Sequence, residues 1–313
     1  MQILRHLPAR AAVPTALTVG NFDGVHLGHR AMLDGLAGAA RSRKLASCVM
    51  TFEPHPREFF APDRAPTRLT SLREKLELLA GLGVERVHVR RFDYDFARID
   101  AEAFIRTVLI GGLHVRWLLV GDDFRFGARR QGDFELLRQA GLESGFDVVR
   151  MDSVSVDGVR VSSTAVRELL AAGDLAGAAR LLGRPYSISG RVVAGKRLGG
   201  RLGFPTANVQ LKHNRPALWG IFVVEVLGLG PEPLQGVASL GVRPTVVEGG
   251  APLLEVHIFD FARAIYGEHL QVRFLSKLRD EEKYPDVHTL RLQIARDVEA
   301  ARAFFAMRRA ASQ

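Results

Sequence analysis

Two histidines three residues apart stand in a glycine-rich segment near the start of the chain. The segment reads Gly20-Asn21-Phe22-Asp23-Gly24-Val25-His26-Leu27-Gly28-His29 and follows a short apolar run. Glycine backbone and the free N–H groups of a helix start suit a phosphate, and two imidazoles there could stabilise charge that develops on phosphorus. We therefore predict a nucleotide site, with residues 20–24 at the phosphates and His26 and His29 as catalytic groups.

Two plainer interpretations of these histidines stay open at this point. They could cap the following helix, or they could ligate a metal, although the local pattern supplies no third ligand. The segment is not a Walker loop, because the sequence contains no G-x-x-x-x-G-K-[ST]. Its glycine spacing also differs from the dinucleotide-binding fingerprint.

A second group of candidate residues stands in the latter half of the chain. The segment Leu202-Gly203-Phe204-Pro205-Thr206-Ala207-Asn208 follows a glycine-rich loop at residues 195–200. Thr206 and Asn208 are two residues apart in an extended segment and project to the same side. A hydroxyl and an amide carbonyl there suit a hard cation such as Mg²⁺ bound to nucleotide phosphates. The alternative is a turn that satisfies its own backbone groups.

Before residue 150, short apolar runs alternate with helical patterns. This alternation is typical of βαβ units, whose parallel sheet is covered on both faces. Strands are predicted at residues 15–19, 46–52, 87–91, 117–120 and 147–150, and helices at 28–43, 72–82, 101–110 and 134–143. Ligands of such sheets bind at the carboxyl ends of the strands, which is where the histidine segment stands.

Two further helices are predicted at residues 165–172, with residues 162–164 as N-cap, and at 175–182. From residue 188 the pattern changes, and strands are predicted at 188–193, 220–227, 236–240, 253–261 and 270–278. Strands with no helix between them indicate an antiparallel sandwich or small barrel. Asp286 is predicted to cap a long amphipathic helix that reaches about Met307. We therefore expect an α/β domain at residues 1–183 and a β domain with a terminal helix at 184–313.

Composition limits the class of protein. The chain has 313 residues, of which 47% are hydrophobic and 25% charged, and these values are typical of soluble globular proteins. It contains no apolar run of membrane-spanning length, its first residues do not resemble a signal peptide, and its single cysteine fits the cytoplasm. The net charge of +9 is spread thinly. That distribution argues against nucleic acid and favours phosphate-bearing small ligands.

The histidine segment has the form H-x-G-H and resembles the adenylyltransferase half of the prokaryotic bifunctional riboflavin kinase/FAD synthetases. Further pieces of that family follow in order at residues 51–56, 121–127 and 161–167, the last similar to I-S-S-T-x-I-R. Residues 190–208 resemble the riboflavin kinase motif that ends in G-F-P-T-A-N, with further pieces at 236–245, 255–257, 265–267 and 277–281. The resemblance covers most of residues 15–183 and 186–302.

For the first domain, the resemblance implies a Rossmann-like nucleotidyltransferase that transfers AMP from ATP to FMN with Mg²⁺. The FMN phosphate would attack the α-phosphorus directly, while His26 and His29 hold the ATP phosphates. Ser163, Thr164 and Arg167 would bind the triphosphate, the alternative being an ordinary N-cap beside a solvated arginine. The implied flavin-binding residues are Asp123, His55 and Phe59.

For the second domain, the resemblance implies phosphorylation of the 5′-hydroxyl of riboflavin by ATP. FMN and FAD are then intermediate and product rather than prosthetic groups. Thr206 and Asn208 would hold Mg²⁺ and phosphates under the loop at residues 195–201. The other implied nucleotide-binding residues are Gly195, Gly203 and Pro205, and Arg279 would border the flavin. The family's histidine before the first loop glycine and its arginine after the second are Ala194 and Gly200 here, which leaves open which loop cation contacts phosphate.

Glu255 is the implied general base for the ribityl hydroxyl. By strand alternation it faces away from Leu254 and Val256. The plainer alternative is a solvated carboxylate on a barrel wall.

Two other functions are weighed against a flavin-forming enzyme with ATP, riboflavin and FMN as partners. One is a flavin-sensing or RNA-binding protein derived from such an enzyme, and a pure binder has no need of His26, His29, Thr206 and Glu255 together. The other is a nucleotidyltransferase for a different acceptor, such as pantetheine phosphate or nicotinate mononucleotide, which the kinase-like second domain argues against. We expect no membrane partner, and a weak or transient homo-oligomer is compatible with the sequence.

Overall fold

The computed structural model describes residues 1–9, 11–195, 198–212, 215–242 and 252–311. They form two compact units. One consists of Met1–Pro66 and Leu72–Ser162, and the other of Thr67–Ser71 and the chain from Ser163 onward. By its contacts, the stretch 163–183 belongs with the second unit. The functional division into residues 1–183 and 184–313 stays a prediction.

The first unit is built on a sheet whose neighbouring described strands are all parallel, in the order β1-β4-β3-β2-β5-β6. Its strands are β1 Gln2–Leu4, β2 Thr15–Val19, β3 Ala46–Glu53, β4 Arg86–Arg91, β5 Val115–Gly121 and β6 Asp147–Met151. A separate antiparallel hairpin consists of β7 Ser155–Val156 and β8 Val159–Arg160. The predicted parallel α/β architecture is confirmed.

Helices cover both faces of this sheet. They are α1 Leu27–Arg43, α2 Pro56–Phe60, α3 Leu72–Gly81, α4 Tyr94–Ala97, α5 Ala101–Ala103 and α6 Phe134–Ser144, with 3₁₀ turns at Pro62–Arg64 and Ala128–Arg130 and a π-helical stretch at Phe104–Gly112. Ala16 of β2 packs in one core with Leu33 of α1, whereas Leu17 packs in a second core with Val108. Strands buried on both faces appear in sequence as short continuous apolar runs.

The strand order creates a crevice between the carboxyl ends of β2 and β5. The chain leaves β2 to pair β3 on one side, and β5 later pairs with β2 on the other side. Ligands of open α/β sheets bind where the strand order reverses in this way. The histidine segment follows β2 and residues 122–127 follow β5, so the topology brings both to this crevice.

The second unit contains a closed barrel of antiparallel pairs in the order β10-β13-β12-β11-β14-β9. Its strands are β9 Ser187–Val193, β10 Ala207–Val209, β11 Gly220–Leu227, β12 Leu234–Val242, β13 Pro252–Ile258 and β14 His269–Arg279. Phe222, Val224 and Phe274 are fully buried. Of the two predicted architectures, sandwich and barrel, the barrel is confirmed.

The described helices of the second unit are α7 Ser163–Ala171, α8 Leu175–Leu182, α9 Leu198–Arg201 and α10 Val287–Ala310. Asp286 caps α10 as predicted, because its Oδ1 accepts a 2.7 Å hydrogen bond from the Thr289 N–H. Ala301 and Phe305 of α10 pack in one apolar cluster with Ile221 and Val223 of β11. Within the described residues, no helix combines the length and apolar character needed to cross a membrane.

Several short elements were not predicted. Strand β1 and the β7–β8 hairpin were not predicted, and β10 was expected only as an extended segment. The helix α9 lies in a region that was predicted to contain none. Elements of two to four residues are too short for a periodic pattern, so pairing with neighbouring strands defines them.

Candidate active sites

The start of α1 holds the two histidines face to face. Their ring centroids lie 3.7 Å apart and the ring planes differ by 15°. His26 occupies the N-cap, where its Nδ1 accepts a 3.3 Å hydrogen bond from the His29 N–H. The capping interpretation is therefore correct for His26, whose Nδ1 makes the cap. The described residues contain no group of three or more His, Cys, Asp or Glu side chains that could hold a metal.

The turn between β2 and α1 directs its own side chains inward. Phe22 and Asp23 are buried, and Phe22 has a left-handed φ of 49°. The ring of Phe22 lies over Gly20, where an added Cβ would stand 3.1 Å from it. Gly24 has a φ of 83°, which a glycine adopts without strain. What this turn offers a ligand is therefore backbone rather than side chains.

A cleft of about 210 Å³ opens beside the histidines. The described residues that line it include His26, Gly28 and His29 from the start of α1, Asp122 and Asp123 from the end of β5, and Ser153 and Arg160 near the hairpin. The structure thus brings together three predicted site residues, His26, His29 and Asp123. Residues 20–24 are not among those that line it.

A polar network stands at one wall of this cleft. Asp122 accepts hydrogen bonds from the Ser153 hydroxyl at 2.7 Å and from Nη2 of Arg160 at 3.2 Å. The Ser153 hydrogen bond, followed by the charge of Arg160, holds the pKa of Asp122 below its usual value. Arg160 Nη2 also lies 3.8 Å from Oδ2 of Asp123, whose side chain is 82% exposed. The wall therefore presents the exposed carboxylate of Asp123 and the guanidinium of Arg160, which pairs with both aspartates.

Sequence reasoning missed Arg160. The residue lies on β8, and the turn before it contains Asp157 and Gly158 with φ values of 51° and 77°. Such an Asp-Gly pair favours the type I′ turn of a two-residue hairpin. The sequence does contain this pattern, because the Asp-Gly pair stands between valines that alternate with other residues. It predicts a hairpin with Arg160 on its second strand.

Ser163, Thr164 and Arg167 lie on the first turns of α7, which begins at Ser163. The Nε of Arg167 donates a 2.6 Å hydrogen bond to the backbone carbonyl of Thr67. Thr67 belongs to the same compact unit as α7. The guanidinium is therefore held by the protein rather than simply solvated.

His55 caps the short helix α2. Its Nδ1 accepts a 3.1 Å hydrogen bond from the Arg57 N–H, and Glu58 accepts one from the His55 N–H at 3.3 Å. This reciprocal capping box fixes the orientation of the imidazole. The predicted contact of His55 with a flavin stays a prediction.

Phe59 belongs to a cluster of aromatic rings near the ends of β3 and β4. Its ring centroid lies 5.2 Å from Phe60, 5.5 Å from Phe92 and 4.8 Å from Tyr94. Phe60 and Tyr94 are 66% and 70% exposed. An exposed aromatic surface of this kind suits a planar ring system. The flavin contact predicted for Phe59 stays a prediction.

The barrel places a row of polar side chains on its outer wall. Glu255 of β13 stands directly opposite Asn208 of β10 and Ser239 of β12 in the strand register. Opposite residues of antiparallel strands share a face. Leu254 and Val256 are fully buried, so the alternation predicted for Glu255 is correct. The half-buried carboxylate is thus a direct neighbour of the predicted Mg²⁺ ligand Asn208.

Glycines hold the loop before β10 close to this row. A Cβ on Gly195 would overlap the amide of Asn208, and one on Gly199 would overlap the Phe204 carbonyl and stand 3.1 Å from Oγ1 of Thr206. Gly203 has a φ of 89° in the turn that follows α9. Close approach at residues 195 and 199 therefore requires glycine. The loop cations Lys196 and Arg197 lie outside the described residues, as does the motif piece from Arg243 to Thr245.

Pro205 is fixed by a histidine that sequence reasoning missed. Nδ1 of His257 lies 2.8 Å from the Pro205 carbonyl oxygen, which can only accept, so this nitrogen carries the proton. His257 is two residues beyond Glu255 and shares its face of β13. A pocket of about 230 Å³ adjoins Thr206, with an apolar part that includes Val192, Val256 and Ile258.

Arg279 forms an ion pair with the last helix, α10. Its Nε and Nη2 donate to the two carboxylate oxygens of Asp297 at 2.9 and 2.7 Å, and its Nη1 donates to the Asp280 carbonyl at 2.9 Å. The Asp297 hydrogen bonds raise the pKa of Arg279. Both side chains are largely buried. Arg279 thus joins β14 to α10, and its predicted place beside a flavin stays a prediction.

Glu281 is a second carboxylate near Glu255. It accepts a 3.0 Å hydrogen bond from the hydroxyl of Ser239, and a Cβ on Gly241 would overlap it. Neither Ser239 nor Glu281 was predicted individually. Only the strand register, which sets Ser239 opposite Glu255, connects these residues with the site. A single sequence does not show strand register.

Comparisons with known proteins agree along the whole chain. The FAD synthetase family model matches residues 9–165 and the riboflavin kinase family model matches residues 182–305. A bifunctional riboflavin kinase/FMN adenylyltransferase of Escherichia coli strain K12 is 51% identical over 310 residues, covering 98% of this chain and 99% of the relative. The protein of that description from Haemophilus influenzae is 46% identical over 307 residues, covering 97% and 99%.

A solved structure also resembles the chain. It is described as a macrolide-efflux protein from Streptococcus pneumoniae, with 28% sequence identity and a TM-score of 0.82, and the match covers 96% of this chain and 99% of that one. The FAD synthetase model covers most of the first unit, which carries the histidine cleft. The riboflavin kinase model lies within the second unit, which carries Glu255 and Asn208. On the strength of these models and of the identity with full-length relatives, the chain belongs to the family of bifunctional riboflavin kinase/FMN adenylyltransferases.

Proposed function

We propose that this chain converts riboflavin to FMN at the barrel and FMN to FAD at the α/β unit, with ATP as the second substrate of both steps. The observation that carries the proposal is the presence of two separate polar sites in one chain. Stacked histidines lie at the switch-point cleft, and Glu255 lies beside Asn208 on the barrel wall. The relatives named for both activities support the same pairing.

In the kinase step, the ribityl 5′-oxygen forms a bond to the γ-phosphorus of ATP while the bond to ADP breaks. Glu255 accepts the proton of that hydroxyl. Its position opposite Asn208 supports this role, because the base and the residue at the phosphates must lie side by side.

Mg²⁺ fits the donor set of the barrel site. The side chains of Thr206 and Asn208 offer neutral oxygens, and the glycine loop packs directly against both. Magnesium in nucleotide sites keeps few protein ligands beside the phosphates. When bound, the ion neutralises charge on the phosphates and orients them.

In the adenylyl step, a phosphate oxygen of FMN forms a bond to the α-phosphorus of ATP and pyrophosphate leaves. His26 and His29 donate hydrogen bonds to phosphate oxygens as charge develops there. Arg160 and the exposed Asp123 mark the opposite wall, where the guanidinium can pair with the FMN phosphate. The role in triphosphate binding that the resemblance implies for Ser163, Thr164 and Arg167 stays a prediction.

The flavin ring of FMN would rest on the aromatic cluster of Phe59, Phe60, Phe92 and Tyr94. Of these rings, Phe60 and Tyr94 offer exposed apolar surface. A stacked flavin gains from offset contact with such rings. Replacing Tyr94 by Ala would then raise the KM for FMN and leave the kinase reaction unchanged.

The test is incubation of the purified chain with riboflavin, ATP and Mg²⁺, followed by chromatography over time. We expect FMN to appear first and FAD after it. A second reaction with FMN and ATP isolates the adenylyl step. Formation of neither product contradicts the proposal, and formation of FMN alone contradicts its adenylyltransferase half.

A further inference from the structure

A buried lysine lies near the turn that carries the first site. Lys75 of α3 is 4% exposed, and an ammonium removed from water requires polar partners. Its Nζ donates a 3.4 Å hydrogen bond to Oγ1 of Thr51, which is fully buried in β3. Because an ammonium has no acceptor, the Thr51 oxygen must accept in this contact.

The Thr51 hydroxyl then donates its own proton to the turn. Its Oγ1 lies 3.1 Å from the backbone oxygen of Asn21. The residue before, Gly20, is also tied to β3, because its N–H donates to the Met50 carbonyl at 3.0 Å. Two hydrogen bonds to β3 therefore fix the path of the chain as it leaves β2. Buried hydrogen bonds in series strengthen one another.

Phe22 transmits this constraint to the histidines. Its φ of 49° is one that a phenylalanine keeps only where its surroundings hold it. Its fully buried ring lies 4.9 Å from the ring of His29, which stacks on His26. A shift of the Asn21 carbonyl would move Phe22, and with it the surface on which His29 packs.

We infer that Lys75 and Thr51 are positioning residues for adenylyl transfer and act on His29 through Asn21 and Phe22. The inference rests on the proposed function of the first site. Neither Lys75 nor Thr51 is among the described residues that line the cleft, so their effect is indirect. Loss of the Thr51 hydroxyl lets the turn relax and lowers kcat for FAD formation, while the KM for ATP changes little.

Thr51→Val and Thr51→Ser form a matched pair for the test. Valine keeps the shape and loses the hydroxyl, whereas serine keeps the hydroxyl. With FMN, ATP and Mg²⁺, we expect Thr51→Val to lower kcat about tenfold and Thr51→Ser to stay within about twofold of the parent. Lys75→Met should lower kcat as Thr51→Val does, and the Thr51 pair decides the matter if Lys75→Met does not fold.

Thr15→Val is the control for loss of a buried hydroxyl. Thr15 is 2% exposed and donates to the Val13 carbonyl at 3.3 Å, at the opposite end of β2 from the turn. We expect it to keep the parental kcat. Formation of FMN from riboflavin by the same preparations checks the barrel, and thermal melting checks the first unit.

A His29→Ala background tests the proposed route. If Thr51 acts through His29, adding Thr51→Val there lowers the residual rate by less than about twofold. Fully additive losses overturn the inference, and so do equal rates for Thr51→Val and Thr51→Ser. A parent chain that makes no FAD refutes the proposed function instead, so the two failures are distinguishable.

Discussion

In the first unit the candidate catalytic side chains come from one contiguous segment, whereas in the barrel they come from neighbouring strands. His26 and His29 share the first turn of α1 and stack on one another. Asn208 and Glu255 are 47 residues apart by their numbers, and only the pairing of β10 with β13 brings them together. One site depends on where a strand ends and the other on how two strands are aligned.

The architectures explain this difference. A parallel sheet has all its carboxyl ends at one edge, so backbone N–H groups and loop residues collect there. A small closed barrel is filled with side chains, here including Phe222 and Phe274, and leaves only its outer wall and its loops for chemistry. Substitutions that alter turns should therefore impair activity at the first site, and substitutions that alter strand register should impair activity at the second.

His29→Ala gives the largest expected effect and separates the two sites. We expect FAD formation to fall at least about 100-fold, because a donor to the developing phosphate charge is lost. Chromatography of reactions that start from riboflavin should show FMN accumulating at the parental rate. Equal loss of both products in a folded variant would show that the two regions are not independent.

Glu255→Gln tests the barrel site and should impair the kinase step while it spares the adenylyl step. Glutamine keeps the size and hydrogen bonding of the side chain but cannot accept the proton, and loss of a general base typically costs about 10²–10⁴-fold. We expect kinase turnover to fall at least about tenfold, with riboflavin binding and the conversion of supplied FMN to FAD retained. FMN production at the parental rate would show that Glu255 does not act as the base.

Fragments define how much of the chain the barrel site needs. Residues 163–313 should make FMN and no FAD. Residues 184–313 lack α8, which lies against β14 and buries Leu181 and Leu182. Because apolar surface of β14 is then uncovered, we expect this shorter fragment to be less stable by about 2 kcal/mol while it still makes FMN. Urea unfolding of both fragments measures the difference, and equal stability would place α8 outside the folding unit of the barrel.

Acid should affect the α/β unit before the barrel. Burial, with a smaller contribution from the charge of Arg90, lowers the pKa of His88 in β4 from 6.5 to about 4, against a backbone contact with His6 that raises it. The unfolded chain therefore takes up a proton that the folded chain does not. The stabilising contribution is complete above pH 6.5 and is lost as the pH falls toward 4.

Thermal melting between those pH values checks this linkage. We expect the Tm of the first unit to fall with acid, and FAD formation to be lost before FMN formation. His88→Leu should make the slope shallower, whereas replacement of the exposed His288 on α10 should not. An unchanged slope in His88→Leu would assign the acid sensitivity to other groups.

Much of the fold and of the two candidate sites could be predicted from the sequence where the pattern lies within one short stretch of chain. Strands of five or more residues, the long helix after Asp286 and the H-x-G-H segment all have patterns that one stretch of chain contains by itself. The Asp157-Gly158 turn was equally local and was overlooked. The capping role of His26 was weighed in advance, and the structure shows that capping and a position in the cleft are compatible.

The sequence by itself determined the parallel α/β half, the antiparallel β half, the order of the segments and the residue types of each site, because propensity, periodicity and motif spacing act over a few residues. The tertiary structure decided that the β half closes into a barrel. Only the tertiary structure decided that Glu255 stands between Asn208 and Ser239, that Arg279 pairs with Asp297, and that Lys75 reaches Thr51. Those contacts join distant parts of the chain. They depend on strand register and on the packing of α3 and α10, which are fixed by the burial of whole faces rather than by any local pattern.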